Sequence, residues 1–311
     1  MNLNSTETAK YVLPYDSTCP VIYDNDETID AYTDDVIMAY ASTGEIKLVG
    51  MITSSSVQPF NKYVPSGSYL DMHKDRIKGV EFARKSGFKN IPNPVFGPNK
   101  HLEKPITGWI EDTIPQNTEG SRLIVETAKT VSVEKPLVIV MGGPLTVVAD
   151  AYLLDQSIAD KIVVAWLGDT SEGINSYNGW ADPWSAFIVM QKLKMVVFPV
   201  FMHSPFVTKS KLHELPDTLF RQWMIDKYHI TARIPDEHDE DAPPMISILR
   251  KDYVLDAKKV SFGYWKEYEG HSVPMFKDDP HGNTIVVLST NREVATEEWW
   301  RTMKNPLAWG L

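Results

Sequence analysis

Apolar residues along this chain gather in short runs at 21–23, 46–52, 137–140, 162–166 and 196–200, which read as buried strands. Longer segments with helical spacing alternate with them, at 33–41, 73–86, 121–130, 146–154 and 183–193, each opening near a residue suited to a helix cap or first turn. That rhythm predicts an α/β chain with an open, mostly parallel sheet flanked by helices. Beyond Pro205 the pattern loosens. It gives a helix at about 215–227, a proline- and acid-rich turn at 235–244, strand-like runs at 260–264 and 284–288, and a final helix at 296–304. With no repeat, low-complexity tract or clear linker, residues 1–311 read as a single domain.

The totals narrow the function classes. A chain of 311 residues with 43% apolar composition can bury a large core. Its 41 acidic side chains exceed its 31 basic ones, and the basic residues are scattered, which argues against nucleic acid as a partner. Cys19 is the only cysteine, so no internal disulfide forms. The polar first ten residues lack the basic start and apolar run of a secretion signal, and no stretch approaches the ~20 apolar residues of a membrane span. The expectation is a cytoplasmic protein that does not engage the membrane.

An open parallel sheet binds ligands at the carboxyl ends of its strands. The loop after 21–23 holds five aspartates in twelve residues, at Asp24, Asp26, Asp30, Asp34 and Asp35. Like charges packed together need a cation or protons to neutralise them. A hard divalent cation is one reading, and oxygen donors without a Cys and His cluster suit calcium better than zinc. A solvated acidic loop capping the next helix is the other, and the loop alone leaves both open.

After 137–140 comes Met141-Gly142-Gly143-Pro144-Leu145-Thr146. Together with the acidic loop, this resembles the nucleoside hydrolase family, whose members open with Asp-x-Asp-Pro-Gly-x-Asp-Asp and carry a Gly-Pro-Leu-Thr turn after a central strand. Asp24 and Asp26 match the first acidic pair, Asp34 and Asp35 the second. Weaker matches follow in order: 91–104 with the family's Val-Pro-x-x-x-Gly segment, Tyr177-Asn178 and Asp182-Pro183 with its Phe-Asn and Asp-Pro stretch, and Asp241-Ala242 with its late His-Asp pair. Seven residues, 27–33, stand in place of Pro-Gly-x, so the loop is four residues longer than the pattern. Ungapped pairing would give Asp30 the place of Asp34 but would put the helix and the next strand out of step. Asp30 stays a candidate extra ligand or substrate contact.

The resemblance implies the nucleoside hydrolase fold, an open Rossmann-like sheet, and calcium-dependent hydrolysis of an N-glycosidic bond in a nucleoside-like small molecule. It assigns Asp26 as metal ligand and general base, Asp35, Asp241 and the main-chain oxygen of Thr146 as further ligands, and Asp24 as their support. Asp34 and Asn178 would hold the ribose hydroxyls. Ser176 stands where the family places a Glu for the 5'-hydroxyl, and Glu240 where some members place a His as leaving-group acid, so Glu240 and His238 are the candidates for that acid. Trp265 is the candidate substrate contact among the aromatics available to stack on a base, the others being Tyr177, Trp180, Trp184 and Tyr264. His203, His213 and His229 read as structural or surface residues. The resemblance also implies a homo-oligomer, a dimer or tetramer. The changed substrate end keeps two other readings alive, a hydrolase of a non-standard glycoside and a catalytically silent calcium-containing relative.

Overall fold

A computed structural model of the chain describes residues 12–26, 32–54, 69–168, 177–199, 204–231, 238–268 and 270–311. In chain order the elements are β1 (Pro20–Asn25), α1 (Thr33–Thr43), β2 (Lys47–Thr53), α2 (Tyr69–Lys85), β3 (Pro94–Phe96), α3 (Glu119–Ala128), β4 (Leu137–Met141), α4 (Thr146–Leu154), β5 (Ile162–Gly168), α5 (Tyr177–Ala181), α6 (Pro183–Lys192), β6 (Lys194–Pro199), α7 (Lys209–Leu212), α8 (Leu219–Thr231), α9 (Pro243–Leu249), β7 (Val254–Tyr268), β8 (His271–Asp278), β9 (Thr284–Thr290) and α10 (Arg292–Met303).

The nine strands form one sheet in the order β3-β2-β1-β4-β5-β6-β9-β7-β8. Pairing is parallel from β3 through β9, and β7 runs antiparallel to both of its neighbours. Strand side chains alternate between two apolar layers. Val21, Tyr23, Val138, Val140, Val163 and Ala165 face one layer with α1, α2, α8, α9 and α10. Ile22, Ile139, Met141, Val164 and Trp166 face the other with α3, α4 and α6. Two apolar faces explain why these strands read as continuous hydrophobic runs. Among the described residues, no helix is long and apolar enough to cross a membrane.

The sequence-derived elements in the parallel part recur with shifted ends. β3, α5 and α7 are additional to the expected elements, and two expected features differ. The end of the expected turn at 235–244 starts a helix, because Pro243 and Pro244 occupy its first positions, where a missing N–H costs nothing. The strand expected at 260–264 lies inside the fifteen-residue β7, which pairs with the unexpected β8. Strand β8 sits at the sheet edge and is half polar, so it lacks the run that a strand buried on both faces shows.

Candidate functional site

β1 and β4 lie side by side, with Asp24 opposite Met141 and the Gly142 amide donating to the Asp24 carbonyl at 3.0 Å. The turn Gly142-Gly143 therefore runs past Asp24, Asn25 and Asp26 at close range. A Cβ on Gly142 would lie 2.7 Å from Asp241 Oδ2 and 2.8 Å from Asn25 Nδ2, and one on Gly143 would lie 2.8 Å from Asp26 Cγ. A Cβ at either position would displace these side chains, so glycine lets the turn pass this close to them. Asn178, at the start of α5, joins the same turn by donating from Nδ2 to the carbonyls of Gly142 at 2.7 Å and Leu167 at 3.2 Å. Trp166 Nε1 donates to the Gly143 carbonyl at 2.9 Å.

The carboxylates around this turn are buried. Asp24 Oδ1 accepts from Ser54 Oγ at 2.8 Å, while Asp24 Oδ2 and Asn25 Oδ1 are buried with no hydrogen-bond partner among the described residues. Burial pushes the Asp24 carboxyl up to about 7, against the pull of the Ser54 hydroxyl and the Arg76 guanidinium. Asn25 Nδ2 donates to Asp241 Oδ2 and to Tyr23 Oη, both at 2.8 Å, so the end of β1 holds the Asp241 carboxylate from a distant part of the chain. Asp35 is 1% exposed in the first turn of α1.

Two partnerships were not legible in the sequence. Arg76 of α2 grips Asp34 with a two-pronged ion pair, Nε to Oδ2 at 2.8 Å and Nη2 to Oδ1 at 3.1 Å. Asp239 is fully buried, accepts from the Thr33 hydroxyl and accepts from Trp299 Nε1 at 2.9 Å. Burial pushes the Asp239 carboxyl up to about 7, Thr33 and Trp299 pull it down, and the neighbouring Asp35 and Asp34 raise it further. Arg76 belongs to a helix whose charges look solvated on paper, and Asp239 sits in a run, Asp-Glu-His-Asp-Glu-Asp, in which no pattern singles out one acid. His73, one turn before Arg76, stacks on Phe96 at 3.7 Å and shares Thr53 Oγ1 with Arg76.

The other sequence-derived residues are placed as follows. Thr146 is buried at the first position of α4, its hydroxyl donating to Asp182 Oδ2 at 2.7 Å. His238 and Glu240 are half-buried on either side of Asp239, and the His238 ring meets Phe206 edge-on at 4.4 Å. Trp265 lies in a cluster with Trp184, Phe187 and Phe262, with the Lys104 ammonium 5.0 Å from its ring. These contacts pack β7 on α6, and Trp265 also lines a cavity with Ala181, Asp182 and Trp184. Asp30 and Ser176 lie outside the described residues.

Carboxylate, amide and carbonyl oxygens at a strand end, two of them buried without a hydrogen bond, suit a hard divalent cation in kind. Among the described residues, however, no three acidic, His or Cys side chains are close enough to enclose one without moving. The donor set fits calcium chemically, and an ion would have to draw the carboxylates inward.

No family model matches the sequence, and no curated protein matches it either. Solved structures do. A plant nucleoside hydrolase superposes with a TM-score of 0.68 at 15% identity, over 93% of this chain and 99% of that one. An inosine-guanosine nucleoside hydrolase gives 0.66 at 15%, over 91% and 98%. The purine-preferring ribonucleoside hydrolase from Gardnerella vaginalis gives 0.65 at 16%, over 93% and 99%. Sequence identity this low carries the architecture alone, and the architecture is that of the nucleoside hydrolases.

Proposed function

We propose that the protein hydrolyses the N-glycosidic bond of a nucleoside or related N-riboside, releasing free base and sugar, and that it depends on calcium. The observation that carries this reading is the convergence of Asp26, Asp241 and Asn178 on the Gly142-Gly143 turn, at the carboxyl ends of β1, β4 and β5. The shared fold supports it. Asp26, Asp35, Asp241 and the Thr146 carbonyl would hold the ion, with Asp24 behind them. A calcium ion, when bound, lowers the pKa of a neighbouring water and gathers negative charge beside the anomeric carbon.

The residues of the chain supply the rest. Asp26 takes a proton from the attacking water as its oxygen bonds to the anomeric carbon and the carbon–nitrogen bond breaks. The departing base takes a proton from Glu240 or His238, which lie half-buried on either side of Asp239. Carboxylates around the sugar favour its developing positive charge. Asn178 spends Nδ2 on two carbonyls and keeps Oδ1 to accept from a ribose hydroxyl. Asp34, whose oxygens both accept from Arg76, is oriented by that pair toward the other hydroxyl.

Calorimetry on chelated protein tests the metal, and a nucleoside panel with detection of free base tests the reaction. Asp26→Asn, which keeps size but cannot accept a proton, is expected to slow base release roughly 10²- to 10⁴-fold with calcium still bound. Absence of calcium binding from micromolar to millimolar concentration defeats the metal assignment. A calcium-loaded protein that turns over no member of the panel defeats the hydrolase reading.

A further inference from the structure

We propose that Arg76 is a positioning residue that, with Asp239, clamps the start of α1 and so aims the Asp35 carboxylate at the site. The inference rests on the metal site proposed above. The sequence sets the problem: Asp26 directly follows β1 and Asp35 lies in the first turn of α1, and their separation along the chain does not by itself fix their spacing.

The Arg76 side chain is 4% exposed and spends its donors on three elements at once. Nε and Nη2 hold Asp34 in α1, and Nη1 donates to the Asn25 carbonyl of β1 at 3.0 Å and to the Ile52 carbonyl of β2 at 2.7 Å. The guanidinium lies 5.6 Å from the centre of the Tyr23 ring. From another part of the chain, Asp239 holds the Thr33 hydroxyl, and Trp299 of α10 holds Asp239. Consecutive residues Thr33 and Asp34 are thus pinned by two separate partners, and Asp35 follows directly. A planar fork with fixed donor directions transmits position as well as charge, which an ammonium does not.

The test uses the full chain freed of metal by chelation, as Arg76→Lys, Arg76→Gln and the double variant Asp34→Asn with Arg76→Gln. The double variant removes both buried charges together, so neither is stranded and the fold is retained. The Asp35 and Val36 amides, which both donate to the Tyr32 carbonyl, report the first turn of α1. They are expected to exchange with deuterium at least tenfold faster in all three proteins, while the β4 amides keep wild-type rates. Calcium titration is expected to show at least tenfold weaker binding, Arg76→Lys included, because that variant keeps the charge and loses only the fork. Wild-type exchange at Asp35 and Val36 in the double variant overturns the inference, as does wild-type calcium affinity in Arg76→Lys. Tighter calcium binding by Arg76→Gln also overturns it, since Arg76 would then be a competing charge. A wild type that binds no calcium defeats the metal reading instead, and the exchange measurement alone then decides the clamp.

Discussion

The carboxyl end of β1 and the face where β7 meets α6 treat charge in opposite ways. Asp24 at the end of β1 and Asp239 beside the start of α1 are fully buried, Asp24 held by a hydroxyl and Asp239 by a hydroxyl and an indole, and both are pushed up to about 7. At β7, the exposed Lys104 keeps its ammonium in water and rests over the Trp184 and Trp265 rings at 5.3 and 5.0 Å. The second arrangement adds stability, since the apolar stem and rings pack while the charge stays solvated. The first subtracts from it unless something neutralises the carboxylates. A cluster that costs stability and sits at the ligand-binding end of a parallel sheet is the signature of a site.

The pH dependence of stability gives the largest expected contrast between these regions. Asp24 and Asp239 titrate well above their ordinary value of 3.8, so between about pH 4 and 7 the folded protein keeps protons that the unfolded chain has released. Their contribution to stability is therefore full below pH 4 and lost as pH rises through about 7. Metal-free protein is expected to lose roughly 2 to 3 kcal/mol per carboxyl between pH 5 and 7, followed by denaturant melts, and saturating calcium is expected to return much of it. Equal stability of chelated protein at pH 5 and pH 8 would break the contrast.

Gly143→Ala comes next. Its Cβ would meet Asp26 Cγ at 2.8 Å and Asp26 Cβ at 2.9 Å, so the whole side chain has to move. Misplacing a reacting group by about 1 Å lowers kcat/KM roughly 100-fold. The expected result is that loss with a melting midpoint little changed. A fully active Gly143→Ala would show that Asp26 is not the base.

The smallest effect belongs to the aromatic face. Trp265 is half-buried against Trp184, Phe187 and Phe262, and Trp265→Ala is expected to cost about 2 kcal/mol of stability with KM for the nucleoside unchanged. A raised KM at wild-type stability would return Trp265 to the substrate and erase the distinction between the two regions.

The sequence by itself determined the parallel sheet, because strands buried on both faces must be apolar at every position and so announce themselves in short runs. It also determined which strand ends hold the acids and the glycine turn, since Asp24, Asp26 and Gly142-Gly143 all lie within three residues of the end of such a run. Tertiary structure alone decided who neutralises whom. Arg76 reaches Asp34 across 42 residues, Asn25 reaches Asp241 across 216, and Thr33 reaches Asp239 across 206. Such pairs leave no periodic trace, because a hydrogen bond fixes the distance between two side chains and says nothing about their separation along the chain. For the same reason the cluster of Trp265 with Trp184 and Phe187 shows only in three dimensions.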